Sequence, residues 1–137
     1  LEELEKKNIP GESLTTKYLN FSEPKALEKL HELRNITLKM YDVEAADEGF
    51  HTKGYIFKEK EIYRIIIGSS NMTKSALTTN REWNTKIVST EQGEVAKEIV
   101  EEFHTLWSSQ YALEFDVFYE NYKERLWLFF VLRDIWY

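Results

Sequence analysis

The fold is decided by residues 50–71, which read FHTKGYIFKEKEIYRIIIGSSN. Two apolar runs, residues 50–57 and 61–67, flank a charged turn at residues 58–60. Apolar runs of this length around a short polar turn are typical of a β-hairpin. The second run contains Ile65-Ile66-Ile67 without polar alternation, which predicts a strand in the centre of a sheet.

Further elements are predicted on both sides of this hairpin. Leucines and Ala26 recur at helical spacing through residues 23–33, and residues 36–41 alternate with period two. We therefore expect a helix at 1–7, a short strand within 9–16, a helix at 23–33, a strand at 36–41, an acidic loop at 42–49 and a strand at 82–88. A helix between two short strands predicts a βαβ-like unit.

The C-terminal third of the sequence is helical and aromatic. Ser89 or Thr90 is the expected cap of a helix whose apolar face carries Val95, Ile99, Val100, Phe103, Leu106 and Trp107. Aromatic residues then dominate as far as Leu132, and an exposed segment this apolar would form a large adhesive patch, so we expect it to be buried. Whether it packs on the domain, on a second copy or on another segment stays open.

Composition favours one α/β domain. The chain has 137 residues, 42% of them hydrophobic, which is enough for one core. We expect a mixed β-sheet flanked by helices over residues 1–113, followed by an aromatic-rich helical segment or linker at 114–137. Because the chain starts at Leu1 inside an expected helix, we interpret it as a fragment that lacks upstream elements. The absence of cysteine and of a signal peptide predicts a cytoplasmic protein without membrane contact.

Charge is unevenly distributed along the chain. The net charge is -6, which argues against a uniformly basic nucleic-acid binder. Between residues 51 and 88, however, seven lysines and arginines stand against three glutamates, a net of +4. The hairpin region is therefore the part of the chain suited to an anionic partner.

Side chains suited to phosphodiester chemistry lie at the ends of the predicted strands. A phosphodiester is cut without metal or cofactor when a neutral imidazole attacks phosphorus, a second group protonates the leaving oxygen, and fixed donors hold the phosphoryl oxygens. His51 is the candidate nucleophile, and Lys53, two residues along a strand, should project from the same face. Ser69 and Asn71 are candidate phosphate ligands with Lys53, and Glu82 is the carboxylate expected to orient the imidazole.

These motifs resemble the phospholipase D superfamily, whose signature is His-x-Lys, an acidic position and Gly-Ser-x-Asn. The chain looks most like the nuclease-type domain at the N-terminus of certain bacterial superfamily 2 DNA helicases, over residues 14–107 and especially at 50–57, 67–73 and 76–84. The resemblance implies that His51 forms a phosphohistidine, that Lys53, Ser69 and Asn71 bind phosphate, and that Glu82 supports the histidine. It also implies DNA as the favoured substrate and an attached helicase domain.

Two departures from that pattern matter. Lys58 occupies the position expected to be acidic. Related nucleases use a downstream glutamate instead, and Glu82 is the residue here that matches it. Only one His-x-Lys is present, whereas the superfamily's site normally combines two. Either a twofold homodimer, which is the favoured interpretation, or a second motif in a missing upstream segment is expected to complete it. Tyr55, Tyr63 and Trp83 are candidates for stacking on bases, but strand aromatics more often pack within the sheet, and packing is the favoured interpretation.

Two other functions remain open. The first is a noncatalytic DNA-binding or targeting module that keeps the phosphate site but never assembles two histidines. The second is a lipid phosphodiesterase, which is disfavoured because the sequence has no basic amphipathic helix.

Overall fold

The computed structural model describes residues 6–16, 24–49, 52–69, 81 and 83–125, and the backbone of residues 126–135. The strands are β1 (Gly11–Thr16), β2 (Ile36–Tyr41), β3 (Gly54–Glu59), β4 (Ile62–Gly68), β5 (Asn84–Thr90) and β6 (Ala112–Glu114). The helices are α1 (Pro24–His31), α2 (Val43–Ala46), α3 (Glu94–Trp107) and α4 (Phe115–Ile135). The α/β class is confirmed. The described strands form two three-stranded sheets rather than the single sheet expected.

The chain divides into two compact units, one made of Leu1–Phe50 with Leu106–Tyr137 and the other of His51–Thr105. In the first unit the strand order is β1-β2-β6. β1 pairs parallel to β2, with Gly11 opposite Ile36, and α1 connects them, so the βαβ prediction is confirmed. β6 pairs antiparallel to β2 and makes this sheet mixed.

The core of the first unit lies between β2, α1 and the start of α4. Leu38 and Met40 of β2 are 2% and 1% exposed, and they cluster with Leu27 of α1 and with aromatic residues of α4, namely Phe118, Tyr119 and Tyr122. Tyr119 donates its hydroxyl hydrogen to Glu28, which fastens α4 to α1. Burial raises the pKa of Tyr119 to about 12, with the Glu28 contact adding to the shift. The aromatic segment is thus buried on its own unit as far as Tyr122; the side chains of residues 126–132 lie outside the described part.

Two short elements differ from the sequence-based expectations. The acidic stretch predicted as loop contains the one-turn helix α2, because the Asp42 side chain accepts hydrogen bonds from the backbone N–H groups of Glu44 and Ala45. β6 was not predicted, since three residues show no alternation. The predicted segment 114–137 begins inside β6, and the division of the chain at residue 113 stays a prediction.

The second unit is built on the antiparallel sheet β3-β4-β5. β3 and β4 form the predicted hairpin, with Glu59 opposite Ile62 and the turn residue Lys60 in the left-handed region at φ 55°. β4 is central, as predicted, and Ile65 is fully buried between its partners Ile56 and Ile87. β5 begins at Asn84 and continues to Thr90, two residues beyond the predicted end.

The predicted position of helix α3 is confirmed, but the prediction that Ser89 or Thr90 caps it is wrong. Ser89 and Thr90 lie within β5, and the helix starts at Glu94, with the Gly93 carbonyl accepting its first bond from Lys97. Ala96 is the fully buried residue of α3, whereas Val95, expected on the apolar face, is 54% exposed. Among the described residues, no helix has the length and apolar character required to cross a membrane.

Candidate functional site

One end of the β3-β4-β5 sheet collects the described residues of the predicted site. The N–H of Gly68, the last residue of β4, donates to the carbonyl oxygen of Lys53 over 3.2 Å. On its other side Gly68 pairs with Asn84, the first residue of β5. Lys53, Gly68 and Asn84 therefore form one row across three neighbouring chain segments.

Ser69 continues this row by one residue. Its backbone N–H donates to the carbonyl oxygen of Trp83 over 3.2 Å, and the Trp83 N–H donates back to the Ser69 hydroxyl over 3.3 Å. A hydroxyl has one donor and two acceptor positions, and the bond from Trp83 uses an acceptor position. Ser69 is exposed, so its hydroxyl is held at the solvent-facing end of the sheet.

Gly68 is required by the neighbouring strand. A Cβ atom at this position would lie 2.8 Å from the Cα of Asn84 and would collide with the Trp83 carbonyl oxygen and the Asn84 side chain. The expectation was that this glycine lets the main chain approach a phosphate. The structure gives it a second role, since it lets β5 close on β4 and so fixes Ser69 beside Trp83.

Lys53 lies at the sheet end but outside the strand. β3 begins at Gly54, not at Phe50 as predicted, because residues 52 and 53 do not continue the regular ladder. Lys53 therefore lies outside the regular strand that the prediction of a shared face with His51 assumed. The Gly68 bond to the carbonyl still fixes the Lys53 main chain, and its side chain is half-buried.

Of the predicted site residues, the structure brings Lys53 and Ser69 to one end of one sheet. His51, Asn71 and Glu82 lie outside the described residues. Their roles as nucleophile, phosphate ligand and supporting carboxylate stay predictions.

Lys58, at the position expected to be acidic, has a structural role. Its ammonium group forms an ion pair with Glu91, which follows β5, and lies 5.4 Å from the centroid of the Tyr63 ring. The hydrogen bond to Glu91 raises the pKa of Lys58. Lys58 lies near the hairpin turn, at the far end of β3 from Lys53.

The aromatic residues of this sheet behave differently from one another. Tyr55 and Tyr63 are half-buried, as the packing interpretation expects, and burial raises the pKa of Tyr55. Trp83 is 89% exposed, so for this residue the packing interpretation is wrong. Asn84, beside Gly68, was not predicted as a site residue either. The signal for both was their position directly after Glu82, the predicted acid.

Comparison with known proteins agrees with the sequence motifs. A family model described as "Cardiolipin synthase, PLD-like domain" matches residues 5–107, about three-quarters of the chain. The search of curated proteins gave no match to the chain. The matched region contains both the βαβ unit and the sheet that carries Lys53 and Ser69. The chain therefore belongs to the phospholipase D-like domain family.

Proposed function

We propose that this chain is a phosphodiesterase domain that cleaves nucleic acid, DNA in preference, through a covalent phosphohistidine on His51. The observation that carries the proposal is the row at the sheet end, where hydrogen bonds around Gly68 hold the main chain of Lys53 and, on a separate segment, Ser69 with its hydroxyl. An ammonium group and a hydroxyl at an exposed strand end are suited to hold a phosphoryl group.

Chain connectivity keeps the remaining residues within reach of that row. His51 precedes Lys53 by two residues, so their Cα atoms are at most about 7 Å apart. The same limit of about 7 Å applies to Asn71 and Ser69, and Glu82 is bonded directly to Trp83. These short separations along the chain support the proposal that the five predicted residues share one site.

The proposed reaction has two steps. An imidazole nitrogen of His51 bonds to phosphorus, the bond from phosphorus to the leaving oxygen breaks, and that oxygen takes a proton from a second histidine. Water then attacks phosphorus and gives its proton to the second histidine, and the bond to His51 breaks. Lys53, Ser69 and Asn71 hold the phosphoryl oxygens, and Glu82 stabilises the imidazolium form.

The second histidine comes from a second copy of the chain in this proposal. The sequence has three histidines, and one of them, His51, stands in a His-x-Lys motif. A twofold dimer brings two identical motifs to one site, because residues near the axis face their own symmetry mates. We further propose that the domain works within a larger DNA-processing protein that carries a helicase.

The direct test is cleavage of end-labelled DNA in excess chelator. We expect wild-type protein to cleave and to retain labelled DNA covalently after denaturation, while His51→Ala does neither. Lys53→Ala should reduce cleavage, whereas Lys97→Ala should not, because Lys97 pairs with Glu101 on an exposed face of α3. Cleavage that survives His51→Ala, or that requires magnesium, would refute the mechanism.

A subunit-mixing experiment tests the shared site. Wild-type protein is mixed with an equal amount of His51→Ala protein and allowed to exchange subunits. If each site needs both histidines, only dimers of two wild-type subunits are active, and these are about one quarter of all dimers. If each subunit works alone, about one half of all subunits are active. An activity that tracks the number of wild-type subunits would contradict the dimeric site.

Two outcomes of these assays favour other functions. DNA binding that weakens with salt and with Lys53→Ala, but without cleavage by the dimer, would favour the noncatalytic binding module. The family description names cardiolipin synthase, and this favours a phospholipid as the second candidate substrate. Release of a headgroup from phospholipid vesicles in chelator, without DNA cleavage, would support it.

A further inference from the structure

Trp83 is the most exposed of the large apolar side chains in the described part of the chain. Its side chain is 89% exposed, compared with 55% for Phe57 and 60% for Val88 in the same sheet. Its main chain is fixed, because it exchanges two hydrogen bonds with Ser69. An indole with so little packing does not stabilise the sheet, so its position beside Ser69 calls for another explanation.

The surroundings of Trp83 are polar and charged. Its direct neighbours in sequence are Glu82 and Asn84, and the exposed cations Arg81 and Lys86 lie two residues before it and three residues after it. Phe57 and Val88 lie farther along the sheet, in the row of Arg64. Val88 is five residues from Trp83, roughly 16 Å along an extended chain. Trp83 is therefore an isolated aromatic residue in a polar and charged segment rather than part of a continuous apolar face.

This setting matches the way proteins bind single-stranded nucleic acid. Such sites combine cations along the backbone with aromatic side chains on which bases stack. Because Ser69 and Trp83 are joined by hydrogen bonds of 3.2 and 3.3 Å, Trp83 lies beside the phosphate that Ser69 would hold. A base in a duplex is already stacked and cannot lie flat on an indole unless it is unpaired.

We propose that Trp83 stacks on the base of an unpaired nucleotide adjacent to the phosphate bound by Lys53 and Ser69. This makes the substrate single-stranded or locally unpaired nucleic acid. The inference rests on the proposed function, because it places Trp83 next to the scissile phosphodiester. Trp83 takes no part in the bond-breaking steps and selects the substrate instead.

The test compares binding of three fluorescein-labelled ligands by anisotropy, using His51→Ala protein so that no cleavage occurs. The ligands are oligo-dT, an abasic strand of equal length and a blunt duplex. Trp83→Ala should raise the Kd for oligo-dT by roughly 5- to 150-fold, the range for loss of one stacked base, and leave the abasic strand unchanged. Trp83→Phe should restore most of the affinity.

Phe57→Ala is the matched control, because it removes another exposed aromatic side chain from the same sheet. It should leave all three affinities within about twofold, with both alanine variants melting near the parent temperature. Equal losses on oligo-dT and abasic strands, no loss with Trp83→Ala, or tighter binding of duplex than of oligo-dT would overturn the inference. So would preferential binding to phospholipid vesicles that depends on Trp83.

The result separates this inference from the proposed function. Cleavage that persists in His51→Ala protein would refute the phosphohistidine mechanism while leaving a base-dependent effect of Trp83 intact. Conversely, His51-dependent cleavage with no difference between wild-type and Trp83→Ala protein on single strands would refute stacking alone.

Discussion

Replacement of Gly68 by alanine tests whether the close approach of β5 to β4 holds the site together. The added methyl group would lie 2.8 Å from the Asn84 Cα, against a normal separation of about 3.5 to 4.0 Å for two carbon atoms. The Asn84 side chain can rotate away, but the Trp83 carbonyl belongs to the main chain. β5 must therefore move outward by about 1 Å near residues 83 and 84.

Such a shift breaks the two hydrogen bonds between Ser69 and Trp83, which are 3.2 and 3.3 Å long. Their loss contributes about 1 kcal/mol each, and forced repacking adds about 1 to 3 kcal/mol. We expect Gly68→Ala to lower the free energy of unfolding by about 2 to 4 kcal/mol, since these contributions overlap. Binding of DNA should weaken as well, because Ser69 is displaced.

The assay is urea unfolding, with hydrogen exchange of the Ser69 amide as a local probe. Gly54→Ala is the matched control in the same sheet, because its Cβ would meet nothing nearer than the Thr52 methyl group at 3.8 Å. This control should change stability by less than about 0.5 kcal/mol, or increase it, since glycine disfavours strands. If Gly68→Ala unfolds at the same urea concentration as Gly54→Ala, the argument for close approach is wrong.

Three further predictions concern stability. The pKa of Tyr119 is raised from 10.0 to about 12, so the folded state favours the protonated phenol. The protonated phenol therefore contributes fully to the stability of the fold below pH 10, and this contribution is lost as the pH rises from 10 to about 12. In urea titrations Tyr119→Phe should flatten that decline and, by removing the bond to Glu28, lower stability by about 1 kcal/mol at pH 7. Leu38→Ala should lower the free energy of unfolding by about 2 to 5 kcal/mol, because Leu38 is buried in the core. Val117→Ala, at a side chain that is 61% exposed, should lower it by less than about 0.5 kcal/mol. Equal effects of the two substitutions would contradict the assigned core. Lys60→Gly should raise the melting temperature and increase the free energy of unfolding by up to about 1 kcal/mol, because glycine tolerates a positive φ. A lower melting temperature would contradict the turn geometry.

The elements with strong periodicity could be predicted from the sequence. The hairpin around residue 60, the strand Ile36–Tyr41 and the helix carrying Ile99 and Phe103 all lie where the apolar pattern put them. The elements that were missed depend on local or distant partners. α2 exists because the Asp42 side chain caps it, and β6 exists because β2 offers an edge to residues 112–114, some 70 positions later. Neither signal appears in a periodicity count.

The candidate site was predicted as a set of residue types, and the structure adds the physical reasons for some of them. The motif identified Ser69 and Lys53, but only the strand register shows that Gly68 joins them. Trp83 was assigned to packing because most strand aromatics pack. Its exposure follows from its place one residue before β5, where no strand or helix in the described part of the chain covers it, and sequence alone did not reveal that.

The late position of β6 and α4 has a consequence for synthesis on the ribosome. Residues 51–105 form one uninterrupted unit, whereas the first unit is closed by strand β6 and helix α4, which emerge only after that unit is complete. Until Phe118 and Tyr122 leave the exit tunnel, Leu38 and Met40 lack the aromatic side chains that cover them in the finished fold. A nascent chain that has emerged from the tunnel only as far as about residue 105 would therefore expose the apolar residues of its βαβ segment although its three-stranded sheet is complete, and such a chain is a natural client for a chaperone.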